Sequence, residues 1–343
     1  MIRFPFLKKS RFRGPLTRRG ERIGIPRGMM FYHFFPLWSS FWENLGWQVE
    51  VSPFTTRETV EAGKGLTGTD LCLPVKAFLG HVLCLKDRVD ALFLPRLISF
   101  EEGAYLCPKI LGLNDIIRNL IPDLPPLLEP PVNYKGPPKV SLESSFLSLS
   151  ETVGLPRGRL AEAFRQARVH WEKEQAGVYR THGIPQKLIP EDLTQALDRV
   201  GPGTARFHLG IIGRPYLLFD PILSQQLLKR LTFRSCALTC IHGISAAERE
   251  RQEEKLAKKV YWSLGRDLVA SSLSFSQKKD IDGIISISSF ACGQDAFTSY
   301  LVDHYARQHS DKPFLSLVLD EHTSPVGLQS RLEAFFDLLG RPH

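Results

Sequence analysis

Short apolar runs and amphipathic stretches alternate along the first third of the chain. The runs "RIGIP" (22–26), "QVEVS" (48–52) and "ALFLP" (91–95) have the length and apolar character that are typical of strands. Between them, "MMFYHFFPLWSSFWENLGW" and "PVKAFLGHVLCLKDRV" carry apolar residues at helical spacing. Strands that alternate with helices favour a parallel sheet that is covered on both faces.

The same alternation returns in the second half of the chain. The segments "FHLGIIG" (207–213), "IDGIISISSF" and "PFLSLVLD" predict strands, and "QDAFTSYLVDHYARQ" and "SPVGLQSRLEAFFDLLG" predict helices. A further helix is predicted in "DPILSQQLLKRL", with Asp220 as its N-cap and Pro221 at its first position. The pattern therefore predicts an α/β fold with two Rossmann-like lobes, each built on a parallel sheet.

A proline-rich break and a helical stretch separate the two halves. The break is "PPVNYKGPP" (130–138), and "LPRGRLAEAFRQARVHWEKEQAGVY" after it predicts a long amphipathic helix. We therefore expect four regions: a basic flexible arm at 1–21, an N-terminal α/β lobe at 22–130, a helical connector at 131–204 and a C-terminal α/β lobe at 205–343.

Composition and charge narrow the class of protein. With 343 residues, of which 43% are hydrophobic and 23% charged, the chain is typical of a soluble two-domain protein. The net charge of +8 comes from the first 27 residues, which hold nine basic residues and one acidic residue, while the other 316 residues have no net charge. The basic arm is either a solvated tail or a docking element for an acidic partner. We expect no nucleic-acid partner, no membrane span and no signal peptide.

Three of the six cysteines stand directly before predicted helices. These are Cys72 in "LCLPV", Cys107 in "LCPKI" and Cys292 in "ACGQD". The unpaired N–H groups and the dipole of a helix N-terminus favour negative charge, so we expect lowered thiol pKa values and metal binding there. From spacing alone, the alternative of three unrelated buried cysteines is slightly favoured, because cysteine is often buried and no C-x2-C pair is present.

The other three cysteines give weaker signals. Cys236, Cys240 and His242 form a C-x3-C-x-H pattern, for which a buried strand is the favoured interpretation. Cys84 lies on an apolar helical face and is expected in the core. Six cysteines would also allow a double-cubane iron–sulfur centre, although the helical setting of Cys84 argues against it. The absence of a signal peptide favours a reduced, cytoplasmic protein.

Several motifs resemble those of 2-hydroxyacyl-CoA dehydratase-type iron–sulfur proteins, and in particular their branch related to acyl-CoA dehydratase activases. They are "IGIPRGMMFYHFF", "CLPVKAFLGH", "LCPKI", "GRPYLLFDPIL" and "FACGQDAF" with the following "LVLDEHTSP". The resemblance covers roughly residues 22–130 and 205–340. It implies a [4Fe–4S] cluster held by Cys72, Cys107 and Cys292, with one iron left open to another ligand.

The resemblance also implies residues around the cluster. Lys76 and His81 follow the first cysteine, and Glu321 and His322 stand in "LDEHTSP". These four are the candidate catalytic residues. A structural alternative stays open, in which the Asp-Glu-His sequence caps the next helix or holds a loop.

The function that the resemblance implies is a reductase or dehydratase-type redox enzyme, or a component of one. A separate ATP-dependent activase of the sugar-kinase-like (ASKHA) type would supply low-potential electrons, because this chain shows no such domain of its own. The substrate would be a small molecule, with acyl-CoA as the candidate, and the protein would form a homodimer or heterodimer. The alternative function is a non-catalytic iron–sulfur carrier of electrons or cofactor that docks on a partner enzyme.

Overall fold

The computed structural model describes residues 21–68, 70–201 and 203–340, so the predicted basic arm lies, apart from Glu21, outside the described residues. The strands are β1 (Arg22–Ile25), β2 (Gln48–Val51), β3 (Ala91–Phe93), β4 (Arg96–Ser99), β5 (Leu127–Leu128), β6 (Pro131–Asn133), β7 (Phe207–Ile212), β8 (Cys236–Cys240), β9 (Gly283–Ser289) and β10 (Phe314–Leu319). The first helices are α1 (Phe31–Leu45), α2 (Arg57–Lys64), α3 (Leu73–Leu85), α4 (Pro108–Leu111), α5 (Leu113–Leu120), α6 (Leu142–Leu147), α7 (Ser150–Val153) and α8 (Arg157–Arg180). The remaining helices are α9 (Glu191–Asp198), α10 (Pro215–Leu218), α11 (Leu227–Thr232), α12 (Ala246–Glu253), α13 (Ser263–Gln277), α14 (Gly293–His309) and α15 (Pro325–Leu339).

The two halves of the chain form parallel sheets with the same strand order. The N-terminal sheet has the order β2-β1-β3-β5, and the C-terminal sheet has the order β8-β7-β9-β10. In the C-terminal sheet, Ile285 of β9 lies opposite Ile211 of β7 and Leu315 of β10. The predicted α/β fold with parallel sheets is therefore confirmed. In each sheet the first strand lies between the second and the third, which creates a topological switch point at its carboxyl end.

The connector packs against the N-terminal lobe through aromatic side chains. Phe41 of α1 meets Phe146 of α6 edge to face, with ring centroids 4.7 Å apart. The Trp171 indole N–H of α8 donates a hydrogen bond of 2.8 Å to the carbonyl of His33. Such aromatic contacts bury large apolar areas and hold α8 along α1. In the described part of the chain, no helix is both long and apolar enough to cross a membrane.

Helices α2 and α3 touch backbone to backbone. A Cβ atom on Gly63 would lie 1.8 Å from the carbonyl oxygen of Lys76, and one on Gly80 would lie 1.9 Å from the carbonyl oxygen of Thr59. Only glycine allows this approach, since any side chain would push the helices apart. The contact fixes the position of α3, which carries Cys72 at its start.

The loop before Cys107 is held by the C-terminal lobe. Tyr105 N–H donates to the carbonyl of Tyr261 at 3.2 Å, and Ser263 N–H donates to the carbonyl of Tyr105 at 3.1 Å. This short parallel bridge crosses between the two lobes. It therefore sets where Cys107 stands relative to the C-terminal sheet.

The helix predicted to start at Pro221 begins later than expected. Asp220 Oδ1 does accept hydrogen bonds from the backbone of Ile222 at 3.0 Å and Leu223 at 3.1 Å, as a capping residue would. However, Gln225 and Gln226 have φ values of 50° and 58°, which lie in the left-handed region and interrupt a right-handed helix. Helix α11 therefore starts only at Leu227.

Candidate functional site

The three cysteines singled out in the sequence all occupy helix N-caps. Cys72 precedes α3, Cys107 precedes α4 and Cys292 precedes α14. The helices of a parallel α/β fold run against the strands, so their N-termini lie at the carboxyl ends of the strands, where such folds bind ligands. We call Cys72, Cys107 and Cys292 the three-thiol site.

A lysine brings the three loops of this site together. Lys109, two residues after Cys107, donates to the carbonyl of Asp70 at 2.7 Å and to the carbonyl of Ala291 at 3.1 Å. It thus joins the loops that precede Cys72 and Cys292. Cys72 also interacts electrostatically with both of the other thiols.

Burial keeps two of these thiols neutral. It raises the pKa of Cys292 to about 12, with Asp295 raising it further and Arg214 opposing the rise. Burial also raises the pKa of Cys72, against the opposing charge of Lys109. The expectation of lowered thiol pKa values is therefore wrong for Cys72 and Cys292, because loss of hydration outweighs the helix N-terminus.

The described residues do not form a site for a single metal ion. Within them, no group of three or more His, Cys, Asp or Glu side chains is arranged to hold one. A zinc ion binds thiolates at about 2.3 Å, which brings their sulfur atoms within about 4 Å of one another. A cluster of several irons separates its thiolates more widely. The three-thiol site therefore does not fit a single ion, and the cluster stays a prediction.

A buried ion pair stands next to Cys292. Arg214, the N-cap of α10 after β7, is 1% exposed, and its Nε donates to Asp295 Oδ1 at 2.6 Å. Its two other nitrogens, Nη1 and Nη2, have no hydrogen-bond partner among the described residues. Gln294, 5% exposed on the first turn of α14, likewise lacks a partner for either amide atom. Sequence reasoning missed this pair, although Arg214 stands in the motif "GRPYLLFDPIL", two residues after the end of β7.

Two of the candidate catalytic residues pair across the lobes. Lys76 Nζ of α3 lies 2.6 Å from Glu321 Oε1, which follows β10, and both side chains are largely buried. Burial acts to raise the pKa of Glu321, but the hydrogen bond and charge of Lys76 outweigh it and lower the pKa. This pair holds the two lobes together.

His81 belongs to a different buried network. Its Nε2 lies 3.0 Å from Thr55 Oγ1, and Thr55 donates to Asp220 of the other lobe. Burial lowers the pKa of His81 to about 3, and the charge of Arg27 adds to this. Burial also raises the pKa of Asp220. His81 is therefore a neutral group in an inter-lobe contact.

His322, the fourth candidate, is exposed, and its backbone N–H donates to Asp320 Oδ1 at 3.0 Å. Together with Glu321 it lines a cleft of about 520 Å³ between α2 and the segments around Pro221 and Pro325. The structure thus unites Lys76 with Glu321, but neither His81 nor His322 takes part in that ion pair.

The remaining cysteines are structural. Cys236 and Cys240 are the ends of β8, a strand that is buried along its length. Burial raises the pKa of Cys236 to about 12 and also raises that of Cys240. The buried-strand interpretation is confirmed. Cys84 lies in the last turns of α3 and is only half-buried, so the expectation that it belongs to the core is wrong.

The family of the protein follows from comparison with known sequences. Residues 22–241 match the family described as "CoA enzyme activase uncharacterised domain". Because the match spans well over half of the chain, the protein belongs to this family. The matched region includes Cys72, Cys107 and Arg214, whereas Cys292 lies beyond it.

Other comparisons add no argument about function. No curated protein matches the chain. Among solved structures, an NtrC family transcriptional regulator from Clostridium acetobutylicum has a TM-score of 0.17 and 9% identity, over 94% of this chain and 98% of that one. The C-terminal domain of glucosamine-fructose-6-phosphate aminotransferase from Francisella tularensis has a TM-score of 0.20 and 10% identity, over 94% and 83% of the two chains. Both TM-scores are too low to indicate a shared fold.

The family assignment corrects the function implied by the motifs. We expected a [4Fe–4S] reductase or dehydratase-type enzyme fed by a separate activase, or an iron–sulfur carrier. That expectation is wrong, because the family is that of the CoA enzyme activases and the described residues hold no metal-binding group. The link to the activase branch is confirmed, and the assignment to the dehydratase component is not.

Proposed function

We propose that this protein takes part in the activation of a CoA enzyme, and that the three-thiol site with Arg214 is the part of it that acts. The observation that carries the proposal is the meeting of three cysteine-bearing loops beside a buried arginine, with Lys109 joining them. Such a concentration of thiols and cations at the carboxyl ends of strands is the usual place for function in this fold class.

The lobes control access to this site. Lys76 and Glu321 join the lobes at one place, and Thr55 and Asp220 join them at another. The Tyr105 bridge adds a third connection beside Cys107. Separation of the lobes would expose the buried Cys72 and the half-buried Cys107 and Cys292, so contact with a partner enzyme that shifts these connections would open the site.

The partner is the CoA enzyme itself, and an acyl-CoA would be the substrate of that enzyme. ATP dependence would belong to the activation step. The homodimer or heterodimer expected from the sequence, and a cytoplasmic location, stay predictions.

The test uses the full chain, purified anaerobically, and the CoA enzymes of the same organism in their inactive form. We expect one such enzyme to gain activity when the chain, Mg-ATP and a reductant are added together, and not when the chain is omitted. A Cys84→Ser variant should activate as well as the wild type. If no CoA enzyme gains activity with any combination of these additions, the proposal is wrong.

The [4Fe–4S] cluster remains a separate proposal for the three-thiol site. It is supported by the shared location of Cys72, Cys107 and Cys292, and no step of the proposed function depends on it. Anaerobic reconstitution should give about four irons per chain. Alanine at any one of these three positions should prevent assembly, whereas Cys84→Ala should not. Iron-free wild-type protein after reconstitution would exclude the cluster.

A further inference from the structure

The N-terminus of α14 carries features of a ligand site that the three thiols do not explain. We propose that Arg214, Gln294 and the first turn of α14 bind the phosphate group of a small-molecule ligand. The proposal rests on the proposed function only in naming ATP and CoA as the candidate ligands. Its main evidence is a set of buried hydrogen-bond donors, on Arg214 and Gln294, that have no partner among the described residues.

Arg214 supplies the strongest of these donors. Its guanidinium has five N–H groups, and only Nε–H is used, in the 2.6 Å bond to Asp295. Nη1 and Nη2 have no partner in the part of the chain that the structure describes, although the residue is 1% exposed. Buried polar groups are almost always paired, so four unused N–H groups on a buried cation indicate a missing partner. A phosphate accepts two parallel bonds from such a fork.

Gln294 and the helix itself add donors next to Asp295, the residue that pairs with Arg214. Helix α14 has 17 residues, and the N–H groups of its first turn have no partner within the helix. These groups and the helix dipole favour a phosphate. Gln294 is 5% exposed, and within the described ranges neither atom of its side-chain amide has a hydrogen-bond partner. It can donate to a phosphate oxygen and accept from a phosphate hydroxyl.

The position and charge of the site also fit an anion. Strands β7 and β9 are neighbours in the sheet, and Arg214 and α14 follow their carboxyl ends. A Cβ atom on the exposed Gly293 would meet no atom within 4 Å, so the start of the helix is open to approach. Asp295 offsets the charge of Arg214, and Lys109, whose Nζ lies 3.1 Å from the carbonyl oxygen of Ala291, adds a positive charge near the start of α14.

The experiment measures the melting temperature of the full chain under reducing conditions while inorganic phosphate, ATP or CoA is titrated at constant ionic strength. At about five times its Kd, a bound ligand should raise the melting temperature by about 1–2 °C. Gln294→Leu keeps the side-chain size, removes the buried amide and should abolish most of this rise. Arg214→Lys should weaken binding about tenfold or more, because lysine lacks the fork.

The matched control is Gln252→Leu on α12. This change also removes a buried glutamine, whose side-chain oxygen has no hydrogen-bond partner among the described residues. It should keep the full rise, since a general salt effect would act on both variants equally. A tighter response to ATP or CoA than to inorganic phosphate would identify the ligand. No rise in the wild type, or the same rise in Gln294→Leu, would overturn the proposal. Failure to activate a CoA enzyme, with phosphate binding intact, would overturn only the proposed function.

Discussion

Two buried ion pairs of equal length differ in how many of their hydrogen-bond donors are used. Lys76 and Glu321 join the lobes at 2.6 Å, and Arg214 and Asp295 meet at 2.6 Å at the switch point of the C-terminal sheet. The lysine is a point charge, and its nitrogen is not among the buried atoms that lack a partner. The arginine uses one nitrogen of three, and the other two have no hydrogen-bond partner among the described residues. The first pair is a structural connection, whereas the second has the unused hydrogen-bonding capacity of a binding site.

The largest effect is expected for Asp295→Ala. This change leaves Arg214 buried without any counter-charge, so the free energy of unfolding should fall by about 3–5 kcal/mol. Urea denaturation measures the loss. The control is Asp303→Ala on the same helix, whose partner Arg307 is exposed, and it should change stability by less than about 1 kcal/mol. Equal losses in the two variants would show that burial does not increase the contribution of the Arg214–Asp295 pair to the free energy of unfolding.

Lys76→Met should have the next largest effect. It leaves Glu321 partly buried and unpaired between the lobes, so we expect a loss of about 2–3 kcal/mol in the free energy of unfolding. The double variant Lys76→Met/Glu321→Leu should recover most of it, because an apolar pair of similar size can replace a buried ion pair. A double variant as unstable as the single one would mean that the lysine acts through other contacts.

The close backbone contact between α2 and α3, the helix that carries Lys76, can be tested with Gly63→Ala. The added methyl group would overlap the carbonyl of Lys76, so α3 must move, at a cost of about 1–3 kcal/mol. Gly158→Ala in α8 is the matched control, because its Cβ would meet no atom within 4 Å. That change should stabilise by up to about 1 kcal/mol through helix propensity. Destabilisation of both variants by the same amount would contradict the close contact.

Taken per pH unit, the smallest effect on stability is expected from pH, through two buried histidines. Burial lowers the pKa of His81 to about 3, and that of His33 to about 3, with His242 and Arg249 contributing at His33. The unfolded chain binds these protons near pH 6.5, so the folded state loses stability as the pH falls from about 6.5 towards 3. Each histidine contributes up to about 1.4 kcal/mol per pH unit in this window.

His81→Gln should therefore reduce the dependence of stability on pH between 6.5 and 4. His322→Gln is the control, because this side chain is exposed and should leave the dependence unchanged. Parallel curves for His81→Gln and the wild type would show that His81 can be protonated in the folded state.

The sequence predicted the sheets better than the site. The apolar runs of β7 and β9 are unmistakable because strands of a covered parallel sheet are buried on both faces. The sequence also showed that Cys72, Cys107 and Cys292 each stand before a helix, since this depends on local pattern. The late start of α11 was not, because the positive φ values of Gln225 and Gln226 have no sequence signal there.

Long-range features could not be read from the chain. Arg214 and Asp295 are separated by 81 positions, and only the parallel pairing of β7 with β9 brings them together. Burial raises the pKa values of Cys72 and Cys292, and the sequence pattern at a helix start does not show how deeply a side chain is buried. The functional prediction failed because the same motifs resemble both the dehydratase proteins and their activases, and the motifs alone did not separate the two.

The most direct test of the central claim compares Cys292→Ser with Cys84→Ser in activation of the CoA enzyme, each at matched folded concentration. If the three-thiol site acts in this process, Cys292→Ser should lose at least about 90% of the activation rate while still unfolding like the wild type, and Cys84→Ser should keep it. Full activation by Cys292→Ser would contradict the assignment of function to this site.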